Sequence, residues 1–292
     1  MRLAEARVRP TPGGPWAGAS GHAEELALGL YVVGAGRFHG GMKHIFSLAA
    51  CLTLAPALFL ATSERTVDDP IAASIGHADR LPSDLERDAE RQPQRVLDFF
   101  DIKRGMHVAD WMAGDGYYTE ILSRAVGPDG AVHCQNTSIP LEVFANEPLT
   151  RRLAEGRLPN VQRHDEEFAD VTIPAGLDAA ILVRFYHDFE WQEVDRPAFN
   201  AMAFELLKPG GLLGVVDHHA LEGAGISEGK RLHRVEAALV QTELEAAGFV
   251  LEAESFVLTD PNDTRDWNIF SGDGAGRDAT SRFVHLYRKP LE

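Results

Sequence analysis

Two groups of residues in this 292-residue chain have types and spacings that could do chemistry. The first is Val108-Ala109-Asp110-Trp111-Met112-Ala113-Gly114-Asp115-Gly116-Tyr117-Tyr118-Thr119-Glu120. It reads as a short buried strand ending in an acid, a glycine turn, and a helix whose apolar positions Ile121, Leu122, Ala125 and Val126 run to Gly127. Glycines at 114 and 116 let the backbone turn sharply and approach a ligand, and the helix start offers free N–H groups. Asp110 is placed to hydrogen-bond the polar end of a nucleotide-like cofactor. An ordinary strand-to-helix turn also needs a glycine, so the pattern alone leaves both readings open. The second group is rich in histidine and aspartate: Arg184-Phe185-Tyr186-His187-Asp188, Asp217-His218-His219 and His233-Arg234. Imidazoles near neutral pKa suit proton transfer, and the same side chains can ligate a metal. No HxH or HExxH spacing supports a metal, and the adjacent His218 and His219 point their rings apart.

These residues must be positioned by the elements around them. Strand 106–111 is followed by helix 117–126, strand 131–135, a helix around 141–155 and strand 161–164. Strand Leu177–Val183 is nearly all apolar, as a strand covered on both faces should be. A helix opened or kinked by Pro197 reaches Leu207, and Lys208-Pro209-Gly210-Gly211 turns the chain into strand 212–217. One helix over about 229–247 sets Leu232, Val235, Leu239 and Ala246 on one face and ends at Gly248. Strands 250–258 and 282–289 close the chain with only a loop between them. This alternation predicts an α/β fold: a Rossmann-like, doubly wound, seven-stranded and mostly parallel sheet with a C-terminal antiparallel strand pair. In such a sheet ligands bind at the carboxyl ends of the strands, so Tyr117 and Tyr118 after the first strand, Arg184 through Asp188 after the fourth and Asp217-His218-His219 after the fifth are expected to converge. His233-Arg234, at the start of a late helix, could reach an anionic substrate group or bind the strand ends.

Composition narrows the partners. The net charge is −16, and the first 63 residues carry five Lys/Arg against three Asp/Glu, so the acidity lies in the body of the chain. An acidic body argues against nucleic acid or an anionic membrane as partner. Cys51 and Cys134 support neither a disulfide framework nor a cysteine metal site. Residues 1–41 are rich in Gly, Ala and Arg without periodicity and read as disordered, or as an extension from a start placed too early. Met42-Lys43-His44, the uncharged run Ile45–Leu60 and the small residues Ala61-Thr62-Ser63 read as a signal peptide over 42–63. That places the protein outside the cytoplasm, in the periplasm or beyond, with no stable membrane insertion after cleavage; an uncleaved membrane anchor is the other reading. Residues 64–95 form an acidic, arginine-containing lead-in, a helical cap whose Arg87, Asp88, Arg91 and Arg95 suit a solvated helix.

On these residues the chain resembles the class I S-adenosylmethionine-dependent methyltransferases. The carriers are Asp110 through Gly116, a polar residue ending the second strand, Asp165 after the third, the Lys208–Gly211 turn and the terminal antiparallel pair. More narrowly, Gly116-Tyr117-Tyr118-Thr119, Phe185-Tyr186-His187-Asp188, Asp217-His218 and Leu232-His233-Arg234 are similar to a group of exported bacterial predicted methyltransferases. The resemblance makes 96–292 the methyltransferase domain and implies S-adenosyl-L-methionine as cofactor and methyl transfer to a small-molecule acceptor. It implies cofactor contacts from Asp110, Ala113, Gly114, Gly116, Tyr117, Asn136, Asp165, Glu166 and Arg184. Two positions depart from the family: Met112 replaces the first glycine of the turn, and Asn136 replaces an acid that grips the ribose.

Methyl transfer is an in-line displacement, so the protein mainly aligns nucleophile and methyl, helped by a base if the acceptor must lose a proton. His187 is the expected base, with Asp188 or Asp217 orienting it and His218 as runner-up. Tyr118, Tyr186, His233 and Arg234 are expected around the substrate. Two other functions fit the same residues: an exported ligand-binding or interaction protein that keeps the fold without turnover, and an exported metal-dependent enzyme using the strand-end His/Asp cluster. A dinucleotide-dependent dehydrogenase ranks below them, because the third glycine of GxGxxG falls at Thr119.

Overall fold

The computed structural model describes residues 69–271, 276 and 279–292. The expected extension, the signal peptide and the start of the lead-in lie outside the described residues. Three helices open the described chain: α1 (Pro70–Ile75), α2 (Pro82–Arg91) and α3 (Pro93–Phe99). Then follow β1 (His107–Trp111), α4 (Tyr117–Val126), β2 (Ala131–Asn136), α5 (Ser138–Pro140), α6 (Asn146–Leu153) and β3 (Val161–Asp165). The second half holds β4 (Leu177–Val183), α7 (Arg196–Leu206), β5 (Leu207–His218), α8 (Gly229–Leu232), α9 (Ala237–Ala246), β6 (Val250–Ser255) and β7 (Arg282–Arg288).

The strands form one seven-stranded sheet in the order β3-β2-β1-β4-β5-β7-β6, parallel except at β7, which runs antiparallel to both β5 and β6. The expected α/β architecture is therefore present. Because successive strand residues face opposite sides, β1 and β4 divide their side chains between two cores. Val108, Ala179 and Ile181 join the helices α1, α3 and α4 through Val96, Leu97, Phe100, Ile121 and Leu122. Ala109, Trp111, Ala180 and Leu182 face the other way, against Phe189, Phe199, Val240 and Leu244. Gly214 lets β5 pass under Phe100, where an added Cβ would sit 2.5 Å from the ring.

Four expectations about elements change. The helix read over 141–155 is an irregular run in which a π-helical turn (Leu141–Ala145) separates α5 from α6. The strand expected from 212 begins at Leu207, because Gly210 and Gly211 already exchange backbone bonds with Lys289. The single helix read over 229–247 is two, broken at His233 (φ 56). There Val235 leaves the helix to bond the His218 carbonyl and to accept from Ala220, which extends the sheet edge; Leu232 and Val235 are still buried, but Ala246 is exposed. Finally, α2 is only partly the solvated charged helix expected: Pro82, Ser83, Leu85, Glu86, Ala89 and Glu90 are exposed, but its other side is not. Asp84 is wholly buried against Arg152 of α6, which Glu120 of α4 also holds. Among the described residues no helix is long and apolar enough to cross a membrane, and Cys134 is a buried free thiol.

Candidate functional site

The carboxyl ends of β1 and β4 open onto a cavity of about 490 Å³. One wall is the turn from Asp110 to Tyr118, with Met112, Ala113, Gly114 and Asp115 along it. A second wall is the segment after β2, with Ile139, Pro140, Val143 and Phe144. The far end carries Arg184, Phe185, His187, Asp188 and Trp191 after β4, joined by His233 and Phe270. From the cap, Arg87 and Arg91 reach in.

The turn is shaped by left-handed residues at Met112 (φ 52), Gly114 (φ 58) and Gly116 (φ 84). Gly116 is required twice over, since a Cβ there would lie 2.9 Å from Arg152 Cδ and from Leu149 Cδ1. Met112 occupies a left-handed conformation that suits glycine. Its side chain does not plug the hollow: it is 2% exposed and packs in the core shared with Trp111. The Ala113 N–H donates to the Gln135 carbonyl (2.9 Å) and the Gly114 N–H to Asn136 Oδ1 (2.8 Å). These two amides are therefore spent inside the protein, and the turn offers a ligand its shape more than these donors.

Asp110 is 2% exposed and accepts a bond from the Thr119 hydroxyl at 2.6 Å. Burial pushes its carboxyl up to about 7, against the pull of that hydrogen bond. Beside it, Tyr117 donates to Asp88 (2.6 Å), while the Arg91 guanidinium lies 4.4 Å from the centre of the Tyr117 ring and that of Arg87 4.8 Å. Tyr117 and Tyr118 meet edge to face at 5.0 Å, so both are wall.

At the other end His187 is held on every side. Its backbone N–H donates to Asp217 Oδ2 (2.9 Å), its Nδ1 lies 2.6 Å from Asp217 Oδ1, and its Nε2 lies 3.0 Å from Asp188 Oδ1. Burial alone would lower its pKa, but the two carboxylates outweigh burial and raise it to about 9. Both ring nitrogens of His187 thus face a carboxylate, and these contacts favour its charged form. Asp217 and Asp188, the expected orienting partners, both hold the ring. The same Asp188 oxygen also accepts from Trp191 Nε1 (2.7 Å) and faces His233 Nδ1 (2.8 Å).

Several other expected residues do not reach the cavity. Asn136 is clamped to Gly114, accepting from its N–H and donating to its carbonyl (3.2 Å), a pairing that needs an amide rather than an acid. Asp165 pairs with Arg163 (2.8 Å) on the outer edge, and Glu166 binds the Thr172 N–H (2.7 Å) and hydroxyl (2.6 Å). Tyr186 bonds Glu243 and Asn200 in the core behind. His218 is buried between Arg184 and Thr280. Arg234 is wholly buried on Asp263 and under Trp267, where it ties down the loop instead of meeting a substrate. Asp217 is wholly buried behind His187 and also accepts from the His218 N–H (2.7 Å).

Residues that sequence reasoning missed are Trp191, Phe270, Phe144, Arg87 and Arg91. Trp191 lies one helical turn past Asp188 and was legible by spacing. Arg87 and Arg91 come from α2, Phe144 from the π-helical turn and Phe270 from the long loop between β6 and β7.

No family model matches this chain, and no curated protein matches it in sequence. Solved structures do resemble it. A SAM-dependent methyltransferase from Aquifex aeolicus superposes with a TM-score of 0.52 at 21% identity, over 70% of this chain and 93% of that one. A complex between the Haloferax volcanii Trm112 methyltransferase activator and the putative methyltransferase gives 0.51 at 16% identity, over 77% and 100%. The [4+2]-cyclase SpnF gives 0.50 at 18% identity, over 70% and 82%. At such identities the likeness establishes the fold, and function must be argued from the site.

Proposed function

We propose that this chain is an S-adenosylmethionine-dependent methyltransferase that acts on a small-molecule acceptor. The observation that carries the reading is one continuous cavity that joins the buried Asp110 and the glycine turn, at one end, to the polar cluster around Asp188 and His233 at the other. Its volume lies within the range of pockets that enclose a small organic ligand. The residues present fit the cofactor in two respects. Asp110 is a buried acid that lacks a cationic partner among the described contacts, matching a cationic amino group, and Met112 leaves the cradle open. When bound, S-adenosylmethionine supplies a methyl group already activated on a sulfonium.

The chain's own residues supply place and exclusion. Asp110 takes the amino-acid end, the left-handed turn lets the backbone lie close to it, and Phe144 and Phe185, whose rings lie nearly parallel 6.5 Å apart, roof the space. Asp188 and His233 line the acceptor end, each held by its own partners, so the acceptor meets preorganised polar groups and little reorganises during reaction. Asn136, Asp165 and Glu166 shape the turn and the edge from behind. The ligand-binding alternative shares the cavity and differs only in turnover.

Thermal unfolding of the full chain tests the reading. With S-adenosylmethionine at one hundred times its dissociation constant, stability rises by about 2.7 kcal/mol. For a domain of this size that is about 5–10 °C in Tm. S-adenosylhomocysteine should act alike and adenosine alone much less. An unchanged Tm at millimolar S-adenosylmethionine would remove the proposal.

A further inference from the structure

We propose that His187, Asp188 and His233 together hold a divalent transition-metal ion at the acceptor end of the cavity. The three ligand atoms lie within 4.8 Å of one another. His187 Nε2 is 3.0 Å and His233 Nδ1 2.8 Å from the same Asp188 oxygen. Metal–ligand bonds of about 2.0–2.2 Å put neighbouring ligand atoms about 3 Å apart. The two imidazole–carboxylate distances already have nearly that spacing, and the two imidazole nitrogens lie within 4.8 Å of each other. On binding, each imidazole presents a lone pair where it now turns an N–H to the carboxylate.

The scaffold around the cluster has the form of a metal site's outer shell. Asp217 Oδ1 grips His187 Nδ1 at 2.6 Å, which fixes the ring so that Nε2 faces Asp188. Trp191 Nε1 holds the Asp188 carboxylate at 2.7 Å. His233 sits at the left-handed C-cap of α8, the conformation that breaks the helix and brings its ring to Asp188. The two turns meet because residue 229 is glycine: a Cβ there would lie 2.6 Å from the His187 carbonyl oxygen. Convergence of the three ligands is thus built by residues from three separate segments. All three line the cavity, so the remaining coordination positions are available to a ligand in it.

Two imidazoles and one carboxylate select zinc, cobalt, iron(II) or manganese over magnesium, which prefers oxygen ligands. A metal there would take an acceptor oxygen and make its proton more acidic, a consequence that rests on the methyltransferase reading above and replaces a side-chain base.

Cobalt(II) titrated into the full-length protein, purified without a histidine tag and stripped with chelator, gives the test through the visible absorption of the bound ion. One saturable equivalent is expected. His233→Asn is the informative variant, because asparagine tolerates the left-handed backbone and can still bond Asp188. Its cobalt affinity should fall by about 100-fold or more, since even outer-shell changes cost about 10–100-fold, while its circular dichroism stays that of the parent. His164→Gln, remote from the cluster, should bind as the parent does. Absence of a saturable equivalent overturns the proposal, and so does unchanged binding in His233→Asn. The titration contains no S-adenosylmethionine. A chain that binds cobalt but is not stabilised by that cofactor upholds the metal site and overturns the methyltransferase reading alone.

Discussion

Asp110→Asn is expected to weaken S-adenosylmethionine binding while making the ligand-free protein more stable above neutral pH. The two effects share one cause. Burial holds the Asp110 carboxyl near 7, well above its ordinary 3.8. A proton bound more tightly in the folded chain contributes stability that is fully present below the unfolded value and is lost as the pH rises through about 7. At pH 8 the wild-type protein therefore carries a buried carboxylate held by the Thr119 hydroxyl, with no cation bonded to it among the described residues. Asparagine removes that cost and can still accept the Thr119 bond, so the variant's Tm rises at pH 8. A cationic amino group is what the carboxylate lacks. Wild-type affinity should then weaken by about tenfold for each pH unit below 7, over pH 5 to 7, where an α-amino group stays charged. In Asp110→Asn that dependence disappears and affinity at pH 7.5 falls by about tenfold or more. Calorimetric titration across this range measures both. A purely structural Asp110 would instead give a variant of lower stability and unaltered pH profile.

The largest loss of stability is expected at Arg152. Its guanidinium is buried between Asp84 (2.6 Å) and Glu120 (2.6 Å), and its Nε donates to the Asp115 carbonyl (2.7 Å) in the glycine turn. All three side chains are at most 1% exposed, so the interaction is little screened by solvent. Arg152→Met strands two buried carboxylates, and breaking a buried pair from one side costs about 3–5 kcal/mol. Arg87 stays on Asp84, and Arg124 and Arg157 stay on Glu120, which favours the lower end of that range. Urea unfolding reads the loss. In an Asp84→Asn, Glu120→Gln background the same substitution should cost much less, because no unpaired charge remains. The acid side follows with its own sign. Burial tends to raise Asp84 and Glu120, but the arginines win and hold both below their ordinary values. Their contribution is present above the unfolded carboxyl pKa and is lost as the pH falls through the lowered folded values. A cost below about 1 kcal/mol for Arg152→Met would contradict this picture of the cap.

The network also explains what the sequence could and could not reveal. Apolar Leu177–Val183 and the glycine turn announced the doubly wound sheet because their signals are local: a strand buried on both faces has no polar alternation, and a sharp turn needs glycine. Asp110, Ala113, Gly114, Tyr117, Tyr118, Arg184, His187 and Asp188 were legible as cavity residues for a related reason, since a parallel sheet gathers its strand ends on one edge. Charge partnership is not local. Arg152 follows Asp84 by 68 positions, so α2 looked like a surface helix. His187 is thirty positions from Asp217, and only their contact reveals how firmly the ring is held. The break at His233 was hidden by Leu232, Val235 and Leu239, which keep helical spacing although the backbone there turns left-handed. Asn136, Asp165 and Glu166 carried expectations from the family pattern, and their hydrogen bonds inside the chain redirected them.

The central claim is that the hollow over the Asp110–Tyr117 turn receives an adenosyl amino acid. A crystal structure of the full-length protein grown with saturating S-adenosylhomocysteine tests it most directly. The account expects the ligand in this cavity, its amino group on Asp110 and its sulfur turned toward Asp188 and His233. A ligand bound elsewhere, or an empty cavity at saturating concentration, would contradict it.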